Sequence, residues 1–386
     1  MFNSKWIALL LVWLLSSVQA WGAATAAEKA PVEQKKLNHS AAAVFSAAPD
    51  KLFSVEGQIN KLAAATAAQQ ACSIAHPPPY SSTEYCELVA LDRTSLTTVA
   101  DIRAALPDER HPLFLWRYQH KGATVFLAGS VHILKRGFYP LPEQYQAAFD
   151  LSDNLVLEVD MTAFTPAELQ AKTMQFAVLA NNQQIADVLD EETFNALNDV
   201  TAQYGLPLNQ LGPFKPGFIT QQLAVLALMS VGYDPAQGVE SYFTAQAADK
   251  NLLALETLDF QLDLLMNQPL STQTAMVRDT LAQMDEFEPF TAELITAWLS
   301  GDDQKFYQAF AAQSGTSDAS KAFLHQLLDE RNVGMAEQIE GYLNSKGSYF
   351  VVAGAAHYIG ENSIIELLEA KGFRGERIYS DQKVTP

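Results

Sequence analysis

Two histidines and two glutamates stand where short apolar runs end. His132 follows Val125-Phe126-Leu127-Ala128-Gly129-Ser130-Val131, and His357 follows Phe350-Val351-Val352-Ala353-Gly354-Ala355-Ala356. Glu158 follows Leu155-Val156-Leu157, and Glu256 follows Leu252-Leu253-Ala254-Leu255. Imidazole and carboxylate groups bind divalent metals and carry protons near neutral pH. Runs of this length and composition read as buried strands, and in open α/β sheets ligands and reacting groups gather at the carboxyl ends of strands. The four side chains are therefore expected to converge on one site. For a single His at such a place a structural role is at least as good a reading. Two of identical construction, each with a Gly three residues upstream where backbone or ligand can approach closely, favour chemistry.

One further residue stands out by its misfit. Leu324, Leu327, Leu328, Met335 and Ile339 form an apolar stripe at helical spacing, and Arg331 falls on it. A guanidinium facing a core needs carboxylate partners, which makes Glu158 and Glu256 its expected neighbours; the alternative is a snorkelling surface arginine.

The elements that must position these groups follow from pattern. The hairpin Leu113–Trp116 and Thr124–Ala128 turns at His120-Lys121-Gly122. From Glu158 onward the chain reads as helical for a long way. Thr165-Pro166-Ala167-Glu168 is a capping box with Pro in the first turn, Asp190 precedes a helix running to Gly205, and Phe218 to Val231 is an apolar helix. A long helix is expected from about Asp318 to Asn344, then a strand at Tyr349 to Ala353 and a closing helix at Ser363 to Lys371. The fold class is α/β: a central mixed sheet with flanking helices and a large helical insertion between the sheet-forming halves.

The 386 residues are 48% hydrophobic, enough for a substantial core, and a formal charge of -19, from 25 basic against 44 acidic residues, disfavours nucleic acid or anionic lipid as a partner. Lys5, the apolar segment Trp6 to Leu15 and Ser16-Ser17-Val18-Gln19-Ala20 match a secretory signal over residues 1–20. Its core is too short to span a bilayer, so no stable membrane span is expected after its removal. Residues 21–50 read as a flexible Ala-rich lead, with order beginning near Asp50, and residues 51–112 as an N-terminal segment with a helix from Leu52 to Ala71. Cys72 and Cys86 are the only two cysteines, and in an oxidising periplasmic or extracellular compartment they are expected to pair. Residues 113–386 hold the candidate site.

The same residues resemble the TraB/GumN family, which includes the Tiki proteases. The matching motifs are Gly129-Ser130-Val131-His132, Gly137-Phe138-Tyr139-Pro140-Leu141-Pro142, Leu155-Val156-Leu157-Glu158-Val159-Asp160, Gly238-Val239-Glu240, Leu255-Glu256-Thr257, Glu330-Arg331-Asn332 and Gly354-Ala355-Ala356-His357. They occur in the family's order from about Leu113 to Ile378. Ser130 stands where Thr is more typical and Glu240 where Asp is common. The resemblance implies a divalent-metal-dependent, peptidase-like protein.

The reading that unites these observations is an exported metal-dependent hydrolase acting on a peptide or protein. His132, His357 and Glu240 are assigned to the ion, and Glu158, Glu256 and Arg331 to catalysis; which glutamate is ligand and which is general base stays open. His and carboxylate ligands suit manganese, cobalt, zinc or iron. Two alternatives stand beside it. One is a metal-free hydrolase using Ser130 or a His-Glu pair, for which no Gly-x-Ser-x-Gly elbow is present; the other is a non-catalytic exported peptide-binding protein that retains the fold. The oligomeric state is not legible.

Overall fold

A computed structural model describes residues 38–313 and 318–385. The signal segment, its cleavage point and residues 21–37 of the lead lie outside the described residues.

Two sheets organise the chain. The N-terminal one is built from β1 (His39–Phe45), β2 (Ala48–Gln58), β3 (Cys86–Leu91) and β4 (Thr94–Ser95), antiparallel in the order β2-β1-β3-β4. This corrects two expectations. Order begins at β1, inside the segment read as a flexible lead, and the start of the expected Leu52–Ala71 helix, through Gln58, is a strand. Phe53-Ser54-Val55-Glu56 alternates in type, and the pairing of this stretch with β1 (Val44↔Leu52, Ala42↔Ser54) fixes the extended form. The helix starts only at Lys61, where the Asn60 side chain accepts from Ala63 N–H, and runs to Ala75. Cys72 on this helix is joined to Cys86 at the start of β3, as the sequence led one to expect.

The main sheet has six strands: β5 (Pro112–His120), β6 (Ala123–Ser130), β7 (Asn154–Leu157), β8 (Asn251–Ala254), β9 (Gly347–Gly354) and β10 (Gly375–Tyr379), in the order β10-β5-β6-β9-β7-β8. β5 and β6 form the expected hairpin, turning at Lys121 and Gly122, both with positive φ, as the tight turn between right-twisted strands requires. β6, β9, β7 and β8 are mutually parallel. Residues 125–128, 155–157 and 350–353 are at most 1% exposed, because helices cover both faces of these inner strands; that is why they read as continuous apolar runs rather than alternating ones.

Between β7 and β9 lies the helical section, including Pro166–Ala177, Glu191–Gln203, Pro216–Ser230 and Phe287–Ser300. The first is closed by the expected Thr165/Glu168 capping box. Trp298 on the last of these is 1% exposed and donates from Nε1 to the carbonyl of Gly129 at 2.9 Å, tying the helical section to the end of β6. The helix expected from Asp318 to Asn344 runs without a break from Asp318 to Leu343, with a π-turn at Gln326–Glu330 inside it. The extra residue in the π-turn re-aims the side chains that follow it, and Arg331 is the first. No helix among the described residues is long and apolar enough to cross a membrane.

Candidate metal and hydrolase site

Parallel pairing carries the four strand ends to one edge of the sheet. Ser130 lies opposite Gly354, and Leu157 lies opposite both Val352 and Ala254. The ladder continues one step past the strands, with Leu255 N–H donating to Leu157 O at 2.9 Å and Glu256 N–H to Glu158 O at 2.8 Å. Glu158 and Glu256 therefore project side by side, flanked by the two Gly-x-x-His turns.

Glu158 is the hub. Its Oε1 lies 3.9 Å from Nε2 of His132 and 3.9 Å from Nε2 of His357, and accepts from Gly354 N–H at 2.7 Å. Its Oε2 accepts from Arg331 at 2.5 Å and from Gln261 Nε2 at 3.2 Å. The guanidinium also grips Glu256 through Nε and a terminal nitrogen, 2.7 to 3.0 Å from the carboxylate oxygens, and donates to Leu327 O at 3.2 Å. Arg331 is 6% exposed, so the expected buried partnership is observed, whereas Glu330 next to it is turned outward beside His325.

Each histidine is held from behind. His132 Nδ1 makes an ion-pair contact with Glu240 Oε1 at 2.8 Å, without the alignment of a directed hydrogen bond, and the same oxygen accepts from Ser130 Oγ. His357 Nδ1 faces Asn332 Oδ1 at 2.7 Å, and Asn332 in turn donates to Asn362 O at 2.9 Å. Because the amide oxygen only accepts, the proton of His357 sits on Nδ1 and its Nε2 carries the lone pair. That Nε2 is fully buried and has no hydrogen-bond partner. Glu240 Oε2 is likewise buried and unpartnered.

Charge follows from these contacts. Burial by itself would raise the Glu158 carboxyl, but Arg331, the two imidazoles and the Gly354 N–H hold it well below the usual carboxylate range. His132 behaves oppositely to His357. Burial works against its protonated form, yet Glu240 and Glu158 outweigh that and push it up to about 9; burial and then Arg331 pull His357 down to about 3. In the ion-free protein a raised His132 contributes stability that is fully present below its unfolded value near 6.5 and lost as pH rises through about 9. The difference in denaturant midpoint between wild type and His132→Gln should therefore shrink across that window, and a gap that stays constant from pH 6.5 to 9 would contradict the assignment.

The donor set fits a divalent ion. One ligand atom each from His132, Glu158 and Glu240 lies within 4.8 Å of the others, all buried, and the orphaned Nε2 of His357 faces the same carboxylate oxygen as His132. Imidazole nitrogen plus carboxylate oxygen, with the far ring nitrogens oriented by a carboxylate and an amide, is the arrangement of His-rich metal centres. His132 also borders a cleft of 310 Å³, lined with it by Leu157, Met161, Thr162, Pro235 and Thr244 among others.

The profile of the TraB/PrgY/gumN family matches residues 114–377. The chain belongs to this family. A protein described as uncharacterized from Treponema pallidum (strain Nichols) is 19% identical over 300 residues, covering 74% of this chain and 89% of that protein. No solved structure matches with significance. The family region contains every residue of the site and leaves the N-terminal sheet outside it.

All six residues singled out from the sequence are thus brought together: His132, His357, Glu158, Glu240, Glu256 and Arg331. Asn332 and Gln261 were not given roles there. Asn332 carried a signal as the last residue of the Glu330-Arg331-Asn332 motif, but its burial at 2% exposure and its partner 25 positions away are revealed only by the fold.

Proposed function

We propose that this protein is an exported metal-dependent hydrolase of peptide bonds, with His132, His357 and Glu158 holding the ion. The observation that carries the reading is the pair of imidazole Nε2 atoms, each 3.9 Å from Glu158 Oε1 and each fixed through its other ring nitrogen. When bound, the ion would supply Lewis acidity to a carbonyl oxygen and lower the pKa of a water. The chain supplies the rest. Arg331 locks Glu158 and Glu256 together and keeps Glu158 ionised. Both Glu256 oxygens face Arg331, which suits it to anchoring rather than to proton transfer. Glu240 is favoured as general base, because Oε2 is the carboxylate oxygen of the group left without a partner. The Cys72–Cys86 disulfide supports export to an oxidising compartment.

The test is elemental analysis of untagged protein, then peptide hydrolysis, on wild type and three variants. Wild type should retain a divalent ion from a manganese, cobalt, zinc and iron mixture, whereas His132→Ala and His357→Ala should not. Glu240→Gln should keep the ion and lose turnover by a factor of ~10² to 10⁴. Loss of the ion in Glu240→Gln would make that residue a ligand instead. A wild-type chain that binds none of the four ions sinks the metal reading, and one that binds an ion and peptide without turnover is a binding protein.

A further inference from the structure

The segment following His132 is gripped from outside the family region. Lys135, only three residues beyond His132, is 3% exposed; its ammonium donates to Thr97 O at 2.7 Å and contacts Glu87 Oε1 at 3.4 Å. Glu87 is 7% exposed, sits in β3 directly after Cys86, and also accepts from Val99 N–H at 2.8 Å. Arg103 donates to the carbonyls of Gly137 and Phe138 at 3.1 and 3.3 Å. Tyr85 packs so closely on Gly137 that a Cβ there would meet its ring at 2.4 Å. On its other side the same segment is bridged to the strand of chain that leads to Glu240: Asp234 N–H donates to Leu134 O at 2.9 Å, and Val239 N–H to Val131 O at 3.2 Å. The loop carrying His132 is therefore clamped between the N-terminal sheet and the backbone that presents Glu240.

A buried lysine and a buried glutamate are dear to desolvate, and a structural need for docking alone could be met by apolar side chains of similar size. Polar ties differ in that they fix direction: the Lys135 ammonium must satisfy a carbonyl and a carboxylate at once. That sets where residue 135 lies, and with it the path of the three residues back to His132. We propose that the N-terminal four-stranded unit is a positioning element for the His132 loop, acting through the buried contact of Lys135 with Glu87 and Thr97. Lys135 and Glu87 are positioning residues; neither touches the candidate ion site. In this chain the geometry of His132 depends on a unit that the family region does not include. The consequence for ion affinity rests on the reading of His132 as a ligand, but the consequence for ring position does not.

The experiment uses the full mature chain, free of metal, with histidine ring signals observed by nitrogen–proton correlation NMR and assigned from His132→Gln and His357→Gln. The double variant Lys135→Met/Glu87→Gln removes both charges and keeps an acceptor for Val99 N–H. Its His132 ring signals should shift or broaden while those of His357, held by Asn332 on another element, stay in place. Cobalt affinity should fall about tenfold, the lower end of the losses that follow when the support of a metal-bound histidine is disturbed. Tyr85→Leu, which leaves the buried ion pair intact and relaxes the contact on Gly137, should move the same signals less. Unchanged His132 signals in both folded variants overturn the proposal, as does an equal response of His132 and His357. Should the double variant fail to fold, Tyr85→Leu decides alone. Because ring signals are read without metal, a protein that never binds cobalt would overturn the proposed function and leave this test standing.

Discussion

Arg331→Leu should unfold at a much lower denaturant concentration than wild type, with a loss of about 3–5 kcal/mol. The substitution keeps an apolar side chain on the stripe formed by Leu327, Leu328, Met335 and Ile339, so helix packing is not what is lost. What is lost is the counter-charge to two carboxylates. Glu158 is 6% exposed and is held ionised chiefly by Arg331 against its own burial; without the guanidinium it must take up a proton or remain charged in a low-dielectric site. Arg331→Lys should lose less but not recover wild-type stability, because one ammonium cannot reproduce the fork that spans Glu158 and Glu256. Coincident midpoints for Arg331→Leu and wild type would mean that the two carboxylates are solvated, contrary to their burial.

Gly354→Ala should weaken ion binding about 100-fold while leaving the fold intact. A Cβ on Gly354 would stand 3.2 Å from His132 Nε2, 3.4 Å from Glu158 Oε1 and 3.6 Å from His357 Cδ2, in the space between the three proposed donors. An added methyl would compete with an ion for that space, and affinity should drop on the order of 100-fold, the upper range for losses from an altered shell. Stability should hold or improve. Gly354 has φ -50, which alanine adopts without strain, and replacing glycine there restricts the unfolded chain by roughly 0.4–1 kcal/mol. Calorimetric titration with manganese or zinc, paired with thermal melts of the ion-free protein, separates the two effects. Undiminished affinity in Gly354→Ala would show that any ion lies elsewhere, and a collapsed melt would show that the glycine serves packing.

Much of this site was legible because the inner strands that carry it are buried on both faces. The inner strands β6, β7 and β9 must be apolar throughout, so the polar residues that follow each run mark where the chain leaves the sheet; Glu158 and His357 are the first of these, His132 comes two residues after Ser130, and Glu256 follows the edge strand β8. Arg331 was legible for the complementary reason: a charge on an apolar helical stripe needs a partner, whatever the fold. The pairing of Cys72 with Cys86 needed only two thiols, short separation and the right compartment. The tertiary structure decided what depends on pairing between distant segments. β1 and β2 lie in stretches that read as lead and helix, because alanine is a poor strand signal and a strand exists only by virtue of its neighbours; β1 is held on one side by β2 and on the other by β3, more than 40 residues away. The π-turn before Arg331 is not announced by any spacing in the sequence, since the apolar stripe on either side of it reads as regular. Which carboxylate meets which ring nitrogen was also undetermined by the sequence. Glu158 lies on the Nε2 side of His132 and Glu240 on the Nδ1 side, a distinction set by the order of strands in the sheet and by the bridge between Leu134 and Asp234. Residue types specify the chemistry available; their division into ligand, base and support is a matter of relative position, which arises only when β6, β7, β8 and β9 are assembled.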